Sequence, residues 1–219
     1  QVTEGPLAGQ PTPAAQVHVA GTPSASPPAA VPLTAPSAPK QGAQVQVNGK
    51  PLSQWDSNAL LANAYLEATP GVSDEAELRR EVAAITWVIL TRAELAGQDV
   101  GEHVLDQEPG GAANVSWTSE TVTYAGGINR DAAEALGARD DAAFRKFWDD
   151  LDQDRTRIIE EGIGDVQAGR TENPMILRKL GIPATNYHVA GSPGAADFKA
   201  EYRVGQIGSH VFFVDPARF

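Results

Sequence analysis

The spacing of apolar residues changes from a strand-like to a helical pattern near Trp55. Upstream, polar and apolar residues alternate in AQVQVNG, residues 43–49, and the closing Asn48-Gly49 predicts a short strand followed by a turn. Downstream, Ser57 is suited to be the N-cap of a first helix, because its hydroxyl can accept a hydrogen bond from an N–H of the first turn. The apolar face of that helix is formed by Leu60, Leu61, Ala64 and Tyr65.

A second, unusually hydrophobic helix is predicted after the break at Thr69-Pro70-Gly71. Ser73 is suited to cap it, and Asp74 and Glu75 fall in its first turn, where the helix dipole favours negative charge. Its apolar positions extend around most of the circumference, which is typical of a core helix. These positions are Leu78, Val82, Ile85, Trp87, Val88 and Ile89.

The rest of the chain adds acidic helices and a β-prone end. After an irregular stretch at residues 97–127, two acidic helices are predicted, one from about Asp131 and one from about Asp140 that keeps helical spacing as far as Val166. We interpret their charged faces as solvent-exposed. The chain closes on QIGSHVFFVD, a β-prone run. The whole pattern predicts a mainly α (α+β) domain with small β elements.

Residues 1–44 differ in composition from everything that follows. They are rich in Ala, Pro, Ser, Thr and Gly, and Glu4 and Lys40 are their only charged residues. Proline fixes φ and removes a hydrogen-bond donor, so the segment predicts an extended tail or linker in front of a domain at residues 45–219. A targeting segment or a pro-segment is the alternative interpretation.

Charge and composition narrow the functional classes. The chain of 219 residues carries a formal net charge of −11, which argues against nucleic acid as the main partner, because phosphate binding requires clustered Lys and Arg. No apolar run approaches the roughly 18 residues of a membrane-spanning helix, so no membrane span is expected. The chain has no cysteine, which excludes thiolate chemistry and a disulfide framework.

The remaining chemistry rests on carboxylates. The four histidines, His18, His103, His188 and His210, form neither HxxxH nor HExxH, so no metal site is predicted. No GxSxG elbow or phosphate-binding glycine loop is present. Glu67 ends the first helix beside a core helix, a position where desolvation raises a carboxyl pKa toward the range of a general acid. A solvated helix end is the alternative.

Three segments, taken in order, carry a family resemblance. The first holds Glu67-Ala68 and a helix that ends in ITWVILTR, the second is Ser116-Trp117 within NVSWTSE, and the third is the C-terminal region with Tyr187-His188 and IGSHVFF. Together they resemble the SleB-like cell-wall hydrolases, in which a catalytic Glu in an EARGE-like motif precedes a helix that ends in Asn-Arg. The chain departs from this pattern at Thr69-Pro70-Gly71, where the family has Arg-Gly-Glu. It also has Asn186 where a His is common.

The resemblance implies a lysozyme-like, lytic-transglycosylase-like helical domain. Its implied substrate is peptidoglycan, cleaved between N-acetylmuramic acid and N-acetylglucosamine with Glu67 as the single general acid/base and with no cofactor or metal. Implied sugar contacts are Ser116, Trp117, Tyr187, His188 and His210. For Trp117 and the two histidines, a structural role in the core remains the alternative. Gly208 is expected to meet a backbone requirement, either a turn or a close approach.

Competing hypotheses remain open at this point. Hydrolysis instead of transglycosylation would need a second carboxylate, for which Glu75, Glu120 and Asp197 are candidates. The chain would act in the cell envelope or on a virion, with residues 1–44 contacting other subunits. The alternative from another class is a catalytically weak or inactive SleB-like structural subunit of a phage particle or envelope assembly. An amidase is disfavoured, because it would need zinc or a Cys/His pair.

Overall fold

The computed structural model describes residues 44–68, 74–105, 128–177 and 179–219. Within these ranges the chain is mainly helical with small antiparallel sheets, as the sequence pattern predicts. The helices are α1 Gln54–Glu67, α2 Glu75–Ala96, α3 Val100–Leu105, α4 Ile128–Gly137, α5 Asp141–Asp149, α6 Gln153–Gln167 and α7 Pro193–Ala196. The strands are β1 Gln46–Val47, β2 Lys50–Pro51, β3 Ile176–Leu177, β4 Ile182–Pro183, β5 Asn186–Val189, β6 Arg203–Ile207 and β7 His210–Phe213.

Helix α1 begins earlier than predicted. Ser53, not Ser57, is its N-cap, because Ser53 and Asp56 satisfy each other's backbone N–H groups in a capping box. Ser57 lies inside the first turn, where its hydroxyl donates to the Ser53 carbonyl over 3.0 Å. The cap of α2 is likewise Asp74 and not Ser73, since the Asp74 carboxylate accepts hydrogen bonds from two first-turn N–H groups.

The prediction that α2 is a core helix is confirmed. Every residue from 81 to 93 is buried, and α2 packs against α1, α3 and α6. Thr86 satisfies its buried hydroxyl by donating to the Val82 carbonyl one turn earlier, over 2.8 Å. The helix ends at Gly97, whose φ of +67° forms the left-handed C-cap.

The acidic second half is divided differently from the prediction. A single helix from Asp140 to Val166 is wrong, because the chain breaks between α5 and α6 and Asp152 caps α6. Both helices still bury their apolar residues. Trp148 of α5 stacks on Phe144, with ring centroids 6.0 Å apart, and its indole N–H donates to Glu160 of α6 over 2.8 Å. The apolar periodicity is therefore correct, while the helix boundary depends on a local cap.

Two hairpins confirm the predicted β elements. Asn48 and Gly49, at φ values of +52° and +73°, form the turn between β1 and β2. In the C-terminal sheet, β7 lies between β5 and β6, and Gly208, at a φ of +56°, stands in the turn between β6 and β7. All four residues of β7 are buried. Because α2 contacts both β5 and β6, this sheet lies against the core helix.

Some expectations fall on residues that the structure leaves out. The tail at residues 1–43, the Thr69-Pro70-Gly71 break and the Ser116-Trp117 pair lie outside the described residues. Within the described ranges, no helix combines the length and hydrophobicity that crossing a bilayer requires.

Candidate functional site

Glu67 is the last residue of α1, and α6 secures that end of the helix. The guanidinium of Arg155, on α6, donates to the carbonyls of Tyr65 and Ala68 over 3.2 and 2.6 Å. Carbonyls at a helix C-terminus lack intrahelical partners, and a cation also complements the helix dipole there. Arg155 therefore fixes the backbone that carries Glu67.

The Glu67 side chain is half-buried among groups from α2 and the C-terminal sheet. Burial raises the pKa of its carboxyl above the ordinary value, and the nearby charges of His210 and Arg92 lower it only in part. The carboxyl therefore keeps its proton to higher pH than an exposed glutamate does, while some of its surface remains open to solvent. This combination suits a general acid.

Tyr187 and His210 approach Glu67 from one face of the sheet. In the antiparallel register Tyr187 pairs with Phe212 and Val189 pairs with His210, so these four side chains share a face. The rings of Tyr187 and His210 meet edge to face at 80°, with centroids 5.4 Å apart. Burial raises the pKa of Tyr187 well beyond its usual range, and Glu67 raises it further, so its phenol stays neutral and can donate a hydrogen bond.

His188 lies on the opposite face of the same sheet. Its ring packs near Phe198 and Phe213, at centroid distances of 5.6 and 6.5 Å, and Gly194 approaches it closely. Burial lowers the pKa of His188, and Asp197 raises it in part. Of the predicted site residues, the structure thus brings Glu67, Tyr187 and His210 together and places His188 behind them. Ser116 and Trp117 are outside the described residues.

Arg92, near the end of α2, supplies a positive charge to the cluster. Its side chain is almost fully buried, and burial together with Arg218 lowers its pKa to about 10, while Tyr187 and Glu67 act in the opposite direction. Arg92 therefore stays charged at neutral pH.

A second carboxylate lies beside the cluster, and it is none of the three candidates named from the sequence. Glu81 of α2 is fully buried, and its Oε1 lies 2.8 Å from Nδ1 of His210. By contrast, Glu75 pairs with Arg157 on the surface and Asp197 is exposed. Glu120 is not among the described residues.

Asn63 is the other residue that sequence reasoning missed. It is 1% exposed, one helical turn before Glu67, and neither polar atom of its side chain meets a hydrogen-bond partner within the described part of the chain. It nevertheless lies close enough to Tyr187 to oppose the rise in that phenol's pKa.

A signal for these residues was present in the helix periodicity. Asn63 and Glu67 are four positions apart, and Glu81 and Arg92 are eleven apart, so each pair shares one helix face. Two charged residues on one face of a helix segment that is otherwise apolar indicate either a buried partner or a site. Because that segment is so hydrophobic, α2 was predicted only as a core helix, and its two charged residues were not singled out.

Two other features lie apart from this cluster. A concavity at the start of α1 is lined by Trp55, Asp99, Arg139 and Asp141, with the Arg139 guanidinium 3.9 Å above the Trp55 ring. Across the described ranges, no group of three His, Asp or Glu side chains is arranged to hold a metal ion. Comparison with known protein families, characterised proteins and solved structures finds no match to this chain.

The raised pKa of Glu67 predicts a pH-dependent stability difference. A carboxyl whose folded-state pKa lies above its ordinary 4.5 contributes stability below that pH, and this contribution is lost as pH rises through the folded pKa. Glu67→Gln, which is neutral at every pH, should therefore unfold at higher urea than wild type at pH 8, with the advantage fading toward pH 4.

The control for that measurement is Glu172→Gln, which neutralises an exposed glutamate. Urea unfolding of the three proteins at pH 4, 6 and 8 makes the comparison, with the slope of each transition checked for constancy. A Glu67→Gln protein that is less stable than wild type at pH 8 would contradict the burial argument.

Proposed function

We propose that this chain cleaves the glycan strand of peptidoglycan between N-acetylmuramic acid and N-acetylglucosamine, as a lytic transglycosylase with Glu67 as the single general acid/base. The observation that carries the proposal is the environment of Glu67. It is a half-buried carboxyl with a raised pKa, and it lies at a helix end next to a cation and a neutral phenol. The family resemblance of the three sequence segments supplies the substrate.

The first chemical step needs a proton donor. The protonated Glu67 gives its proton to the glycosidic oxygen, the bond from that oxygen to C1 of the muramyl residue breaks, and N-acetylglucosamine leaves with a 4-hydroxyl. Positive charge develops at C1 as the bond breaks. Burial raises the pKa of the Glu67 carboxyl, which suits this step because general acid catalysis is most effective when the pKa is close to the working pH.

The second step reuses the same residue. The Glu67 carboxylate takes the proton of the muramyl C6 hydroxyl while O6 bonds to C1, which closes a 1,6-anhydro ring and restores protonated Glu67. Ordinary glycosidases need two carboxyl groups, one to protonate the leaving oxygen and one to attack or to activate water. An internal hydroxyl nucleophile removes the need for the second group.

The neighbouring side chains have complementary roles in this scheme. The neutral Tyr187 hydroxyl donates to a sugar oxygen, and the Arg92 charge keeps Glu67 stable as a carboxylate between the two steps. Ser116 and Trp117 are proposed to contact the sugar as well. The helical domain with a small antiparallel sheet accords with the lysozyme-like fold that the resemblance implies, and the same resemblance favours a location in the cell envelope or on a virion.

The test is digestion of purified, lipid-free peptidoglycan followed by mass analysis of the released muropeptides. We expect products that carry 1,6-anhydromuramic acid, each lighter by one water than the hydrolytic product. Reducing muramic ends would keep the glycan target but replace transglycosylation by hydrolysis. No release from several wall types would overturn the proposal in favour of a structural subunit of an envelope or virion assembly.

A further inference from the structure

We propose that Glu81 is a positioning residue of the Glu67 site: it holds Nδ1 of His210 and thereby fixes the imidazole whose positive charge acts on Glu67. Only the expected effect of Glu81 on cleavage rests on the proposed function. The coupling between Glu81, His210 and Glu67 can be measured without substrate.

The contact between Glu81 and His210 is built into the core. Glu81 is 0% exposed and His210 is 3% exposed, and Glu81 Oε1 lies 2.8 Å from His210 Nδ1. They belong to α2 and β7, 129 positions apart in the sequence. Space for the carboxylate depends on Gly208, because a Cβ there would lie 2.5 Å from Glu81 Oε1.

Stability alone accounts poorly for this pair. Removing a carboxylate and an imidazole from water costs several kcal/mol, and well-packed apolar residues in the place of a buried ion pair are often equally or more stabilising. Beside a candidate site, such a buried pair is better explained by the control that the acid has over the imidazole. A carboxylate on one ring nitrogen fixes the tautomer and the orientation of the other.

Two contacts together leave the His210 ring little freedom. Glu81 holds Nδ1, and Tyr187 packs its ring against His210 edge to face. Since Nδ1 and Nε2 flank Cε1 and point outward in diverging directions, Nε2 is directed away from Glu81. The charge of His210 is also the largest influence that opposes the rise in the pKa of Glu67. Glu81 therefore acts on Glu67 through His210.

The titratable groups around this pair come from several elements. They are Glu67 from α1, Glu81 and Arg92 from α2, Tyr187 from β5, His210 from β7 and Arg218 from the C-terminal 3₁₀ turn, with His188 of β5 on the other face of the sheet. Glu81→Gln removes the carboxylate that holds the His210 ring. The positive charge that lowers the pKa of Glu67 is then no longer held in place, so Glu67 should titrate at higher pH.

The first experiment is an NMR titration of the full chain without substrate, with ¹³C-labelled glutamate carboxyls and ¹⁵N-labelled histidine rings. In wild type we expect Nδ1 of His210 to carry a proton at neutral pH. In Glu81→Gln we expect the Glu67 titration to move to higher pH. The matched control is Glu77→Gln, one turn earlier on α2, which should leave the Glu67 titration where it was.

The same experiment can overturn the inference. An unprotonated Nδ1 in wild type would do so without any variant, which keeps the inference testable if Glu81→Gln fails to fold. An unchanged Glu67 titration in a folded Glu81→Gln would also overturn it and leave Glu81 a structural residue.

Cleavage kinetics separate this inference from the proposed function. Glu81→Gln should lower kcat by about tenfold to a hundredfold, the range for partners that orient a functional histidine, and move the alkaline limb of the pH profile upward. A uniform loss with no change in the pH profile would contradict a positioning role. If wild type cleaves no wall but the NMR coupling is present, the proposed function fails and the coupling of Glu81 to Glu67 is upheld.

Discussion

Glu67→Gln is expected to lower the rate of glycan cleavage by about a hundredfold to ten-thousandfold, the contribution typical of a positioned general acid. Glutamine has nearly the same shape and can still hydrogen-bond, but it cannot deliver a proton to the glycosidic oxygen. Since Glu67 is proposed to act in both steps, the loss should appear in kcat with little change in binding to intact peptidoglycan. Muropeptide release measured over time by wild type and variant makes the comparison.

Two companion variants sharpen that test. Glu172→Gln changes an exposed glutamate and should cleave at the wild-type rate. Glu67→Asp keeps the carboxyl but withdraws it by one methylene, and displacements of about 1 Å can cost as much as a hundredfold when geometry matters. If Glu67→Gln cleaves as fast as Glu172→Gln, Glu67 is a helix end and not the acid.

Gly208→Ala is expected to destabilise the protein by about 2–5 kcal/mol, the second large effect. A left-handed φ costs a residue with a Cβ about 1–2 kcal/mol, and overpacking a filled interior costs about 1–3 kcal/mol more. Both apply here, since Gly208 has a φ of +56° and its added Cβ would lie 2.5 Å from the buried Glu81 carboxylate. Such a loss is a large part of the about 5–15 kcal/mol that stabilises a typical domain. The free energy of unfolding in urea measures it.

Gly181→Ala is the matched control for this prediction. Gly181 also has a left-handed φ, +66°, but an added Cβ there meets nothing within 4 Å. Its loss should therefore be limited to the backbone cost of about 1–2 kcal/mol. The difference between the two variants measures the contact with Glu81, and equal losses would show that this contact does not constrain Gly208.

Local patterns in the sequence determined much of the fold. The apolar circumference of α2 predicted a core helix, and Asn48-Gly49 predicted a turn, because periodicity and left-handed backbone preference are properties of a few neighbouring residues. The boundaries of the helices were less predictable. Ser53 is the N-cap instead of Ser57 because Asp56 follows it by three residues and completes a capping box. Asp152 caps α6, so the chain breaks between α5 and α6 although the apolar periodicity continues.

The candidate site shows the same division. From the sequence alone, Glu67 was predicted as the acid, because desolvation at a helix end beside a core helix raises a carboxyl pKa. The family resemblance added Tyr187 and His210 among the implied sugar contacts. Only the tertiary structure decided that Glu81 reaches His210 across 129 positions and that His188 faces away from Glu67. A buried charge is stabilised by partners that are distant in the chain, and no local pattern encodes which partner the fold brings within hydrogen-bond distance.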